Sequence, residues 1–195
     1  MFVLASSSPR RRELLCNAGI AFEIQAEEVP EVHTPGEKPI DFALRLACAK
    51  ADAVARNRPQ DFVLGADTIV IVEGEILGKP TDAKDAARML RLLSNKSHEV
   101  TTAVCLACPA ISGQHPEKLT AFETTRVHMS ALSDEDIAAY IATGEPMDKA
   151  GAYAIQGIAS RWIDRIEGDY FNVVGLPVAL VYGMLRTSGA IEMQR

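Results

Sequence analysis

No stretch of this chain holds the roughly 18 consecutive apolar residues that a membrane span needs. Its start also lacks the basic region and apolar core of a secretory leader. Both absences argue for the cytoplasm and against a membrane partner. Positive charge is scarce as well: 20 Lys and Arg against 26 Asp and Glu give a net charge of -6. That balance excludes a general nucleic-acid grip, which needs a basic surface to displace counterions from phosphates, so any anion site must be local. The four cysteines fit reduced, buried thiols better than a disulfide framework. Cys105 and Cys108 have CxxC spacing, yet there is no second pair for zinc and no helix start to activate a thiol, which favours core packing. His33, His98, His115 and His128 lack metal-ligand spacing and read as structural or exposed. The glycine patterns of a Walker motif or a dinucleotide fingerprint are missing, and no Ser-His or Cys-His pair offers nucleophilic catalysis.

What is present suffices for a packed α/β unit. With 195 residues and 48% hydrophobic content the chain can bury a core, and residues 1–195 read as one domain. "MFVLAS" is a buried strand feeding a loop. Ser8 and Pro9 then start a helix over Arg10 to Ala18, the serine as cap and the proline where no amide donor is needed; Leu14, Leu15 and Ala18 share its apolar face. Residues 24–39 hold four glutamates and three prolines and read as a loop. Phe42, Leu46, Ala49 and Ala53 predict a helix from Ile40 to about Arg56 that carries Lys50. "DFVLGADTIVIVEGEILGKP" reads as strand, small-residue break, strand, a turn at Glu73 to Glu75 and a return segment. A helix capped by Thr81 follows, then two strand-like segments joined by a loop over residues 109–118, which should pair. Ser133 caps a short helix that stops at Gly144. The end reads as a small-residue loop, a strand-loop-strand pattern through "RWIDRIEGDYFNVVG", and a helix from about Pro177 to Thr187.

The chemistry concentrates where charge and local structure conflict. Arg10, Arg11 and Arg12 fall in the first turn of a helix, where they oppose its dipole at a cost of a few tenths of a kcal/mol each. The run reads either as a solvated face or as part of an anion seat, because a strand ending in Ser6, Ser7 and Ser8 presents hydroxyls and free amides at a positive helix end. Guanidinium suits phosphate, and consecutive positions span about 200° of a helix, so at most two can face one ligand. Asp67 interrupts an apolar strand run, which is expensive unless a cation or donor faces it; a strand-end turn cap is the alternative. Glu31 in the acidic loop could join Asp67 in holding magnesium, which takes a few carboxylates plus water and phosphate oxygens. Lys79 sits in a sharp "GKP" bend, Lys149 precedes a small-residue segment that lets a ligand approach, and Lys50 interrupts a helix of small residues. Several cations with two acids and no nucleophile point to polyphosphate chemistry by metal and water.

The segments "LASSSPRR", "EEVPEV", "RLACAKA", "LGADTIV", "GKP", "DKAGAYAIQG" and "NVVGLP" occur in the order and at about the spacing of the Maf family of nucleoside triphosphate pyrophosphatases. The resemblance runs from Leu4 to the last helix. It implies an elongated mixed sheet flanked by helices, with two lobes around a cleft as in inosine triphosphatases, and often a homodimer. It further implies hydrolysis between the α- and β-phosphates with a divalent metal, usually magnesium, manganese being the other choice. Asp67 resembles the family's proton acceptor; Ser6, Arg10 and Arg11 match its phosphate loop; Glu31, Lys50 and Lys79 match its polar cleft. Arg10, Thr68 and Gln156 resemble the branch acting on dTTP and UTP, whereas "SPW", "SDQ" and "SEG" mark a branch acting on 7-methyl-GTP. Ala154 stands where glycine is commoner, and "ISGQHPEK" carries no functional reading. The Gln156 amide offers the donor and acceptor that the 3-imino, 4-keto edge of thymine or uracil needs. Modified pyrimidine nucleotides fit the same reading. The competing function is a nucleotide-binding regulator of division or septation without turnover.

Overall fold

The computed structural model describes residues 1–109 and 117–191; His115 and most of the expected loop over 109–118 lie outside the described residues. Among these, seven strands form a mixed sheet: β1 (Phe2–Leu4), β2 (Glu23–Ile24), β3 (Phe62–Val72), β4 (Glu75–Leu77), β5 (Lys96–Ala107), β6 (Lys118–Met129) and β7 (Ile163–Glu167). Their order is β2-β1-β3-β5-β6-β7, with β4 paired to β3. The helices are α1 (Pro9–Asn17), α2 (Pro39–Ala55), α3 (Ala83–Leu93), α4 (Asp134–Ala142), α5 (Tyr170–Val174) and α6 (Val178–Thr187), with three short 3-10 turns between α4 and β7. The expected mixed sheet flanked by helices is borne out.

The chain divides into two compact units, each assembled from separate stretches. The first comprises Met1–Asp67, Thr102–Glu123 and Gly175–Arg195. Here β1 pairs in parallel with both β2 and β3, Leu4 lying beside Ile24 and Leu64. Parallel neighbours need crossover connections, which α1 and α2 supply. Ser8 caps α1, its hydroxyl accepting from the Arg11 amide, with Pro9 at the helix start. The buried face of α1 is Arg11, Leu14 and Leu15; Ala18, expected on that face, follows the helix end and is exposed. On α2 the buried stripe is Phe42, Ala43, Leu46, Ala47, Ala51 and Val54, displaced from the expected Ala49 and Ala53.

Gly65 explains that displacement. The expected break in the strand does not exist: β3 runs without interruption from Phe62 through Gly65 and Asp67 to Val72. A Cβ on Gly65 would lie 2.1 Å from the Ala47 carbonyl oxygen and 2.6 Å from the Ala51 amide nitrogen. The glycine is there for close approach of helix backbone to strand, and the smallest side chains of α2 turn toward it.

The second unit comprises Thr68–Thr101 and Thr124–Val174. Glu73 (φ 51°) and Gly74 (φ 82°) form the two-residue turn that returns β3 into β4, as both central residues of a type I′ hairpin turn require. Along β5 and β6 the side chains of Ser97 and His128, and of Thr101 and Thr124, are hydrogen-bonded opposite one another, an antiparallel arrangement. The core here gathers Val70, Val72, Leu77, Leu90, Leu93, Val127, Tyr140 and Tyr153. Asp82, not Thr81, caps α3, accepting from the Asp85 amide. Ser133 caps α4 as expected, and Asp136 returns the bond to form a reciprocal capping box. The second strand expected within "RWIDRIEGDYFNVVG" is helix α5 instead. Gly168 (φ 127°) ends β7, and the Asp169 carboxylate accepts from the Phe171 amide to start the helix. Asn172 then donates to the Val100 carbonyl and the Thr125 hydroxyl, both buried bonds.

The thiols are all free, with Cys105 buried, Cys48 and Cys108 half-buried and Cys16 exposed, so Cys16 departs from the expected burial.

Candidate active site

In the first unit three segments converge on one ammonium group. Lys50 of α2 donates to Asp67 Oδ1 at 2.7 Å and pairs with Glu31 Oε1 at 2.6 Å. Asp67 and Lys50 keep 9% and 15% of their side-chain surface exposed, against 43% for Glu31. Seating α2 against Gly65 brings Lys50 to this position, because Lys50 immediately precedes Ala51, one of the residues touching that glycine. Burial raises the Asp67 pKa above the usual carboxylate value, while Lys50 and Arg11 oppose the rise. The result is a carboxylate with enhanced proton affinity held by a cation, the environment a general base requires.

Of the three arginines, Arg11 is the one drawn inside. Its Nε donates to the Gly175 carbonyl at 2.8 Å, and one terminal nitrogen donates to the Ala66 carbonyl at 2.9 Å and the Ser6 hydroxyl at 3.2 Å. The guanidinium thus ties the loop after β1 to the strand residue preceding Asp67. Burial lowers its pKa, with Asp67, Arg10 and Glu31 as the neighbouring charges. Ser6 also accepts from the Ser8 amide at 3.2 Å. Arg10 is half-buried and Arg12 exposed.

The loop carrying Glu31 is built more firmly than its composition suggests. Arg45 of α2 forms a forked pair with Glu37 at 2.7 and 2.8 Å, and donates to the Val32 carbonyl at 2.9 Å. Those bonds pull the Glu37 carboxyl down to about 2. His33 meets the Phe42 ring edge-on. Sequence reasoning missed Arg45 and Glu37: their eight-residue separation across a helix start matches no local pattern.

Thr68, Lys79, Lys149 and Gln156 belong to the second unit. Thr68 directly follows Asp67 on β3 and is half-buried. Lys79 is exposed after β4, and its segment is joined to that of Lys149 by a bond from the Gly151 amide to the Gly78 carbonyl at 3.0 Å. Lys149 donates to the Glu145 carbonyl at 2.6 Å and pairs with Asp148. Gln156 is exposed on the loop between the second and third 3-10 turns.

The donor set decides which ion would suit the first unit. No group of three or more His, Cys, Asp or Glu side chains able to hold a metal occurs among the described residues. Glu31 and Asp67, two carboxylates meeting at one cationic position, form an incomplete all-oxygen set. Such a set fits a magnesium-like ion whose other ligands are water and phosphate, and not a closed structural site.

The chain belongs to the Maf family: residues 1–188 match the family's model, described as Maf-like protein. It is 57% identical over 189 residues to the dTTP/UTP pyrophosphatase of Koribacter versatilis, covering 97% of this chain and 95% of that one. To the dTTP/UTP pyrophosphatase of Geobacter metallireducens it is 52% identical, over 97% of this chain and 96% of that one. The solved Staphylococcus aureus Ham1 protein aligns over 95% of this chain and 98% of its own with TM-score 0.50 at 13% identity, a likeness of fold alone.

Proposed function

We propose that this protein hydrolyses dTTP and UTP, with modified pyrimidine nucleotides as further substrates, to the monophosphate and pyrophosphate. Water oxygen bonds to the α-phosphorus, the bond from that phosphorus to the bridging oxygen breaks, and the water proton passes to Asp67. The observation that carries the reading is the buried Asp67 carboxylate of raised proton affinity, held by Lys50. The names of relatives at 57% and 52% identity support the substrate class.

In this reading Lys50 keeps Asp67 ionised and aimed. Arg10, the Ser6 loop and the start of α1 receive phosphate oxygens, and Arg11 adds charge from its buried position. Lys79 and Lys149 serve as further phosphate contacts, with Thr68 beside the catalytic aspartate. Glu31 and Asp67 would hold a divalent metal, magnesium or manganese, which supplies charge neutralisation on the phosphate oxygens. Gln156 reads the base: its amide satisfies the thymine or uracil edge, while cytosine leaves a polar group unpaired at about 1–3 kcal/mol. A cytoplasmic homodimer acting on a free nucleotide, without a nucleic-acid or membrane partner, completes the proposal, and light scattering tests its oligomeric part.

Pyrophosphate release across a panel of triphosphates with magnesium tests the activity. Asp67→Asn should lose turnover by about 10²–10⁴-fold, the range for a lost acid-base group, while nucleotide binding persists. Near-normal turnover by this variant overturns the role of Asp67. Binding by the unaltered protein without pyrophosphate release would instead assign it as a nucleotide-binding regulator.

A further inference from the structure

The segment bearing Gln156 lacks strand or helix pairing of its own, yet one carboxylate gathers it. Glu145 Oε1 accepts from the Tyr140 hydroxyl at 2.8 Å and from the Ile158 amide at 3.0 Å, and Oε2 lies 3.3 Å from that same amide. The Tyr140 oxygen in turn accepts from the Ala154 amide at 3.3 Å. The two main-chain donors two residues before and two residues after Gln156 are therefore both fastened to the Tyr140 and Glu145 pair. Burial and the bond to Glu145 raise the Tyr140 pKa, so its hydroxyl stays protonated and donates to the carboxylate.

Gly157, the neighbour of Gln156, fits this arrangement closely. A Cβ there would lie 2.1 Å from Glu145 Oε1 and 2.5 Å from its carboxyl carbon. The carboxylate thus sits directly against the glycine backbone, a place no other residue leaves open. Tyr140 is 1% exposed and packs edge-on against Trp162, so this end of the anchor is itself fixed. The Glu145 main chain also serves the neighbouring cation, its carbonyl accepting from Lys149.

We propose that Glu145, supported by Tyr140, is the positioning residue that presents Gln156 for base discrimination, a role resting on the base-reading assignment above. It acts by fixing the main chain on both sides of the glutamine, touching no substrate itself. Glutamine at position 145 can return only one acceptor oxygen where the carboxylate offers two, and its amide group would crowd Gly157 or face the Ile158 donor. Glu145→Gln should therefore loosen the loop with the hydrophobic core left intact.

The test compares kcat/KM for dTTP and dCTP in Glu145→Gln, Gln156→Ala and the double variant, with thermal midpoints alongside. Gln156→Ala should lower the dTTP over dCTP ratio by about tenfold. Glu145→Gln should lower it by a similar factor, mainly through KM for dTTP, and the double variant should show no further fall, because both changes act through one group. If Gln156→Ala leaves the ratio unchanged, the base-reading assignment fails and takes this role with it. If Gln156→Ala lowers the ratio but Glu145→Gln lowers only the thermal midpoint, the positioning role alone is wrong. Tyr140→Phe, which removes the bonds to Glu145 and Ala154 while filling the same space, gives the same reading should Glu145→Gln not fold.

Discussion

Replacing Gly65 by alanine would place a methyl group on the helical hydrogen bond between the Ala47 carbonyl and the Ala51 amide, 2.1 and 2.6 Å from those atoms. Ordinary contact begins near 3.4 Å, so α2 must retreat from β3 by at least about 1 Å. Forcing such overpacking costs typically 1–3 kcal/mol, and a clash with helix backbone, which cannot rotate away, belongs at the upper end. For a chain of this size about 3 kcal/mol corresponds to a thermal midpoint lower by roughly 6–12 °C. The functional effect follows from the same movement. Lys50 travels with Ala51, and its 2.7 Å bond to Asp67 would lengthen beyond hydrogen-bonding range. Turnover of dTTP measured well below the midpoint should then fall, together with the stability read by calorimetry. A Gly65→Ala protein with unchanged midpoint would refute the close-approach argument. One with a lowered midpoint and unchanged turnover would refute the link from the seat of α2, through the Lys50–Asp67 pair, to the proposed activity.

Other substitutions probe the remaining physics. Gly183 lies in α6 with nothing within 4 Å of its would-be Cβ; Gly183→Ala should raise stability by about 0.5–1 kcal/mol through helix propensity, and a loss in urea titration would contradict this. His98 is buried against the Tyr153 hydroxyl at 2.7 Å, and burial lowers its pKa from 6.5 to about 4. The unfolded chain therefore binds more protons in that window, so this contribution is complete above pH 6.5 and is lost as pH falls toward 4. Its size is on the order of 3 kcal/mol; His98→Gln should flatten the acid slope of urea midpoints, and an unchanged slope would exclude His98 as its source. Arg11→Lys cannot reproduce the three bonds to Gly175, Ala66 and Ser6, and should cost on the order of 3 kcal/mol in thermal or urea unfolding; a variant within 0.5 kcal/mol of the parent, about the scatter of surface substitutions, would show the fork to be dispensable.

Short-range features were legible in the sequence because their partners lie within one turn. The Ser8 cap with Pro9, the Ser133 cap and the turn at Glu73 and Gly74 all use residues no more than three apart, and each is found where expected. A counter-charge for Asp67 was legible differently, because a charge interrupting an apolar run demands one; that Lys50 supplies it, and meets Glu31 as well, is settled only by the fold. What escaped depends on long-range packing. Gly65 looked like a strand break because only the approach of α2 reveals its purpose. Helix α5 read as strand because its aromatic and β-branched residues favour strands; the buried amide of Asn172, bonded to Val100 and Thr125, favours the helix instead. The Arg45 fork and the Glu145 anchor join residues whose spacing means nothing until the chain has folded.

Ala152, wholly buried, adopts φ 60°, directly after Gly151 at φ 70° in the turn following Lys149. An L-residue held in this left-handed conformation carries about 1–2 kcal/mol of strain, which glycine at 152 would relieve. Glycine would also add freedom to the unfolded chain and empty a methyl-sized space in the core to which Ala152 belongs. The buried methyl thus outweighs the backbone's own preference and ties the bend after Lys149 to the core of the second unit.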